Sequence, residues 1–300
     1  MAIKMPEFSK SFAAAAKGAG ATRDRARTTF IAVEKFSRTA KWGRVDPENM
    51  TSKQVFGYVR SRLEEGITPR VMQNEISHIR RALSGAGRDL GDIKNKNNNW
   101  SNHRLGVPEA SRIGGKAAAD IEKFRQADLP RDVRICLDLV PVFGTRVQEA
   151  VKSTNLDEWA KTLQKAAGAG QAADVYLSSD AGSKGGRPRY VHIHAEKVEN
   201  AIKVVAAAID FKKENGGKYL VQSTDLEAAL KRVSNECTRA GLVGDDSIHG
   251  LRRYWAGQQK ELYLAEGLSE KQALSRLSCD LGHGDGRGRW VENNYIAGSK

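Results

Sequence analysis

The chain has 300 residues, 40% of them hydrophobic and 7% aromatic, which is enough to build a core and excludes a disordered chain. No apolar run approaches the roughly 20 residues that cross a bilayer, and Lys17 interrupts the short apolar piece in SFAAAAKGAGATRDRAR, so neither a membrane span nor a secretory leader is expected. The net charge of +13 is uneven: residues 1–105 hold 20 Lys and Arg against 10 Asp and Glu, the remainder 29 against 26, which favours nucleic acid as the partner over a membrane surface.

Residues 1–25 read as a basic N-terminal tail. Phe30, Val33 and Phe36 then recur at near-helical spacing. In MTSKQVFGYVRSRLEEG, Thr51 and Gln54 form a capping box, Val55, Val59 and Leu63 share a face, and Gly66 ends the helix. In TPRVMQNEISHIRRAL, Thr68 caps and Pro69 suits the first helical position. Met72, Ile76, Ile79 and Leu83 form the apolar stripe, and Arg80 and Arg81 flank it. These helices predict a small basic domain over 26–105, with Arg70, Arg80 and Arg81 as candidate DNA contacts. The Gly-, Asn- and Ser-rich stretch that follows reads as a linker, with a boundary near 105–115.

Further on, DLPRDVRICLDLVPVFGTRVQEAVKS reads as an apolar helix, a Gly-Thr turn and a second helix. ADVYLSSDAGSKGGRPRYVHIH supplies two short β-type runs around a Gly-rich turn, a hairpin. Helices resume at AEKVENAIKVVAAAIDF and at TDLEAALKRVSNECTRAGL, where Thr224 and Glu227 match a capping box. SIHGLRRYWAGQQKELYLAEG and SEKQALSRLSCDLGHG complete a mostly helical segment.

Cys136, Cys237 and Cys279 lie far apart without a CxxC pair, which suits small buried thiols in a reducing cytoplasm. No His, Cys or carboxylate cluster has metal-ligand spacing, so neither metal nor cofactor is expected.

Several short motifs carry chemistry together rather than singly. Arg146 opens a helix in GTRVQEA with Glu149 one turn on, and Lys184 sits at the hairpin tip. His249 and Arg252 share a face at i,i+3 behind Ser247, a candidate cap. His283 follows an apolar helix in LGHG, and Tyr295 closes the chain with five residues after it. Two guanidiniums, an ammonium, two imidazoles and a phenol suit attack on a phosphodiester. Arginines stabilise the charge of a pentavalent transition state, and nearby cations favour ionisation of a phenol, whose ordinary value is about 10.

In order, GTRVQEA, SKGGRPRYVHI, HGLRRYW, LGHG and a final tyrosine match the signature of the tyrosine recombinases. The chain resembles this phage-integrase family over roughly residues 25–297. The resemblance implies a mainly α fold with a small β-hairpin sheet, in two domains. These are a helical, SAM-like core-binding domain at 26–105 and an α+β catalytic domain at 106–300, closing on duplex DNA as a C-shaped clamp.

It also implies roles for single residues. Arg146 and Arg252 would clamp the scissile phosphate, with Glu149 supporting them. Lys184 would protonate the leaving 5′-hydroxyl, His249 would serve in proton transfer, and His283 would hydrogen-bond the phosphate. Tyr295 would attack to give a 3′-phosphotyrosyl intermediate, without metal or ATP. Double-stranded DNA, a homotetramer assembled on it, and accessory DNA-bending or directionality proteins are the implied partners, in a bacterial or phage-encoded cytoplasmic setting.

His283 and Tyr295 are twelve residues apart where the family spacing is about nine, and GDGRGRW is expected to take up the difference as a flexible loop. Exchange of the C-terminal tail between subunits stays open, and a separate arm-site-binding domain is not expected. A type IB topoisomerase shares the chemistry, and a non-catalytic DNA-binding protein could share the scaffold. The separate helical domain and the hairpin lysine favour the recombinase.

Overall fold

The computed structural model describes residues 7–15, 20–43, 45–88, 117–178 and 188–296. The chain divides into two compact units, Met1–Arg112 and Ile113–Lys300. Among the described residues no helix is long and apolar enough to cross a membrane.

Among the described residues, the first unit packs four helices, α1 (Glu7–Ala15), α2 (Gly20–Thr39), α3 (Ser52–Glu64) and α4 (Pro69–Gly85). Helix α3 starts where its sequence says it should. Thr51 Oγ1 accepts the Gln54 N–H, and Gln54 Oε1 accepts the Thr51 N–H at 2.7 Å, a reciprocal cap that contributes about 1 kcal/mol. Gly66 follows the last turn with φ +81°, a conformation open to glycine at little cost. Thr68 accepts the Val71 N–H to open α4, and Pro69 occupies the first turn, where its missing N–H costs nothing.

The expected stripes meet in one core. Phe30, Val33, Val55, Val59, Met72, Ile76, Ile79 and Leu83 are buried, and Phe36 and Leu63 pack against them half-buried. Arg70 and Arg81 are exposed on α4, and Arg80 is half-buried. One expectation is corrected: residues 1–25 are not simply a tail. Glu7–Ala15 form α1, whose Phe12 is fully buried with its ring 5.3 Å from that of Phe30. A single aromatic in an alanine-rich stretch makes no periodic stripe, yet it buries a large apolar area. The predicted linker lies almost wholly outside the described residues.

The second unit begins with α5 (Ile121–Gln126), α6 (Arg131–Asp138), α7 (Val140–Phe143), α8 (Val147–Lys152) and α9 (Leu156–Ala169). An antiparallel hairpin follows, β1 (Ala173–Leu177) and β2 (Arg189–Ile193), in register from Ala173 opposite Ile193 to Leu177 opposite Arg189. Next come α10 (Val198–Asn215), α11 (Leu226–Arg239), α12 (Ile248–Ala265), α13 (Glu270–Asp280) and α14 (Gly288–Val291), then a π-helical turn, Glu292–Ile296. Strand alternation turns Ala173, Val175 and Leu177 on β1, and Val191 and Ile193 on β2, into a core shared with Phe143, Leu163, Val205, Leu251 and Leu277.

Four local readings change. The expected single helix before the Gly-Thr turn divides into α6 and α7, with Pro141 in the first turn of α7. Helix α11 is capped by the Asp225 carboxylate, which accepts the Ala228 N–H at 2.8 Å, not by Thr224 with Glu227. The charged acceptor outcompetes the hydroxyl, and the helix starts one residue later. Ser247 holds the N-cap position of α12 through its extended backbone but makes no side-chain cap bond. Cys136 and Cys237 are buried as expected, whereas Cys279 faces outward on α13.

Candidate active site

Gly144 turns the chain between α7 and α8 at φ +56°, where a Cβ would lie 2.3 Å from the Trp255 ring. Only glycine allows that approach. The turn delivers Arg146 to the start of α8. One turn on, the buried Glu149 carboxylate caps the helix by accepting the Arg146 N–H at 2.7 Å, and it accepts the Arg146 Nη1 at 2.7 Å. Helix α12 brings His249 and Arg252 in its first turn. Arg252 is 1% exposed, donating through Nη1 to the Gly144 carbonyl and through Nη2 to the Leu281 carbonyl at 2.6 Å. Arg146 Nη2 reaches the same Leu281 carbonyl at 3.1 Å.

Beyond α13, Gly282 turns the chain at φ +71°. A Cβ there would press on the Arg189 side chain at 3.0 Å. The turn presents His283, whose Nε2 lies 3.2 Å from the Tyr295 hydroxyl. The ring of Tyr295, itself 4% exposed, lies 5.5 Å from His249, 5.6 Å from His283 and 5.8 Å from the Arg252 guanidinium carbon. The twelve-residue spacing is met by structure where the sequence suggested a flexible loop. Helix α14 and the π-helical turn carry Tyr295 back, and Trp290 packs 4.4 Å from His283. The wider π turn accommodates an extra residue, a device frequent at functional sites. Arg146, His249, Arg252 and Tyr295 line one cleft of about 560 Å³. Lys184 falls outside the described residues.

The charges set the protonation states. Burial and the guanidiniums of Arg252, Arg146 and Arg189 push the His283 imidazole down to about 3, so it is neutral at physiological pH. Burial, with Arg189 and Arg146 nearby, lowers Arg252 to about 10, which still leaves it charged. Burial alone would raise the Glu149 carboxyl, but the hydrogen bonds and charge of Arg189, with Arg252 and Arg146, hold it down at about 2. Two buried polar atoms of the cleft residues, Arg252 Nε and Thr145 Oγ1, have no hydrogen-bond partner among the described residues.

Arg189 is a member of this cluster that the motifs did not reveal. It lies on the buried face of β2 with Val191 and Ile193, donates to both Glu149 oxygens at 2.5 and 2.6 Å, and donates from Nε to the Asp280 carbonyl at 2.7 Å. An arginine on the apolar face of RYVHI is the one signal that pointed to it. A second surprise is a candidate metal-ligand group, which sequence spacing alone had not shown. His192, His194 and Glu266 bring donor atoms within 4.8 Å of one another. Arg276 lies 3.3 Å from His192 Nδ1, a charge that opposes a cation there.

Residues 106–258 match the family described as Integrase, and residues 5–90 match the one described as Phage integrase, N-terminal. Among solved structures, the chain is similar to the integrase of the Tn1549 transposon in complex with transposon right end DNA. That likeness has 13% identity and a TM-score of 0.54, covering 98% of this chain and 95% of that one. XerA recombinase aligns at 13% identity with a TM-score of 0.31, over 97% and 94% of the two chains. No curated protein matches the chain. With the family match spanning just over half of its length, this chain belongs to the integrase family of tyrosine recombinases.

Proposed function

We propose that this chain is a site-specific DNA recombinase that cuts and rejoins duplex DNA through a covalent bond to Tyr295. One observation carries the reading: a buried phenol, held 3.2 Å from a neutral imidazole, shares a cleft with two guanidiniums from distant parts of the sequence. Arg146 and Arg252 take the non-bridging oxygens of the scissile phosphate, whose oxygens also satisfy Arg252 Nε and Thr145 Oγ1.

The Tyr295 oxygen attacks phosphorus, and its proton passes to His249. The bond from phosphorus to the 5′ oxygen breaks. Lys184, from the segment joining β1 and β2, protonates that oxygen, leaving a 3′-phosphotyrosine. His283 shifts its hydrogen bond from the phenol to the phosphate. Attack by a 5′-hydroxyl of another duplex reverses these steps and releases the tyrosine. The ester keeps the bond energy, so no nucleotide is consumed, and the guanidiniums supply the countercharge that a metal supplies in other phosphoryl transfers. Exchange between two duplexes cuts four strands and therefore needs four tyrosines, one from each of four chains. Family membership and the neighbouring integrase–DNA complex support duplex DNA as the partner.

The test starts with a duplex selected for binding from a randomised pool. Nicked near the point of attack, it traps the cut strand. The parent chain should form a denaturant-stable adduct, and Tyr295→Phe should bind the duplex equally well and form none. An adduct in Tyr295→Phe would remove the nucleophile assignment. Relaxation of any plasmid, with no joint molecules from two selected sites, would make the enzyme a topoisomerase.

A further inference from the structure

We infer that Arg189 is a positioning residue that absorbs the charge of Glu149, so that Arg146 and Arg252 remain available to a DNA phosphate. The inference rests on the strand-cleavage reading above. Arg189 is 6% exposed, and its three donor nitrogens are taken by Glu149 and the Asp280 carbonyl. It does not line the cleft that Arg146, Arg252 and Tyr295 share, so its charge is directed at Glu149 and not at a ligand.

What it does instead follows from the carboxylate. Glu149 is 1% exposed and accepts from Arg189 and Arg146, and Arg252 Nη1 lies 3.8 Å away. Three guanidiniums and one carboxylate leave the site two positive charges for an incoming phosphodiester. Without Arg189, a buried carboxylate would fall wholly on Arg146 and Arg252, and half of that surplus would vanish. The fork geometry matters as well. Its parallel pair of bonds orients Glu149, which in turn orients the Arg146 backbone and guanidinium. Arg189 Nε also fixes the Asp280 carbonyl, next to the Leu281 carbonyl that both phosphate-facing arginines share. Consecutive peptides thus tie three guanidiniums to one turn.

A role in stability alone and a role in charge balance part company in a double mutant. On the nicked duplex, Arg189→Met should cut adduct formation in the bound complex by about 100-fold, with duplex affinity changed less than about threefold. Glu149→Gln should cost about tenfold, through lost orientation of Arg146. Arg189→Met with Glu149→Gln should be at least about tenfold faster than Arg189→Met alone, because the unbalanced carboxylate is gone. Arg189→Lys, which keeps the charge and loses the fork, should fall within about tenfold of the parent.

A double variant no faster than Arg189→Met would overturn the charge-balance role. So would an Arg189→Lys variant as slow as Arg189→Met. Should Arg189→Met fail to fold, the lysine variant decides the matter against the parent: a loss within about tenfold supports the role, and a loss of about 100-fold overturns it. Absence of any adduct from the parent chain would instead count against the cleavage reading.

Discussion

Burial raises the Asp280 carboxyl to about 7, even though Tyr263 donates to it at 2.5 Å and Arg276 and Arg189 pull the other way. Its folded-state value lies above its unfolded one, so the folded chain holds this proton more tightly. The associated stability is present below about pH 4 and is lost as pH rises towards 7. A rise from an ordinary carboxyl value to near neutrality is worth up to about 4 kcal/mol. Asp280→Asn keeps an acceptor for Tyr263 and removes the titration. Its advantage in urea midpoint over the parent should grow between pH 4.5 and 7 and stay level above. Parallel curves across that range would mean the carboxyl is ionised in the fold. The consequence reaches the cleft, because the carbonyl of this residue anchors Arg189.

At the scale of elements, legibility follows the range of the interactions. Helices α3 and α4 were readable because their caps and stripes are local: Thr51 with Gln54, Thr68 before Pro69, and Met72 to Leu83 on one face. The functional motifs were readable in order, and the fold gathers Arg146, Glu149, His249, Arg252, His283 and Tyr295 in one place. Arg189 was not readable, because its partners stand 40 and 91 residues away and only strand alternation hints at its burial. The π turn was not readable either, since nothing in ENNYI distinguishes a wider turn from an α-helical one. Helix α1 was missed because its contribution is concentrated in Phe12. That concentration makes it testable. Phe12→Ala should destabilise the first unit by about 3–5 kcal/mol in chemical denaturation, whereas a residue of a loose tail would change the stability by less than about 0.5 kcal/mol.

For the molecule as a whole, the charge separates two tasks. Residues 1–105 carry two basic side chains for every acidic one, while the remainder is nearly neutral despite its cluster of cleft arginines. Under the proposed function, gripping a polyanion and reacting with one phosphate would fall to different parts of the chain. Arg70 and Arg81 are exposed on α4, in the first unit, and the cleft is built from the second. If each neutralises one phosphate, each releases condensed counterions and contributes about 0.9 to the slope of log affinity against log salt. The combined Arg70→Gln and Arg81→Gln variant should make that slope shallower by nearly 2, weaken duplex binding at physiological salt by about tenfold or more, and lower affinity alike for all sequences. Adduct formation per bound complex should not change, because neither residue belongs to the cleft. A slope identical to that of the parent would remove both arginines from the DNA contact. A fall in cleavage per complex at unchanged affinity would mean that the grip and the chemistry are coupled.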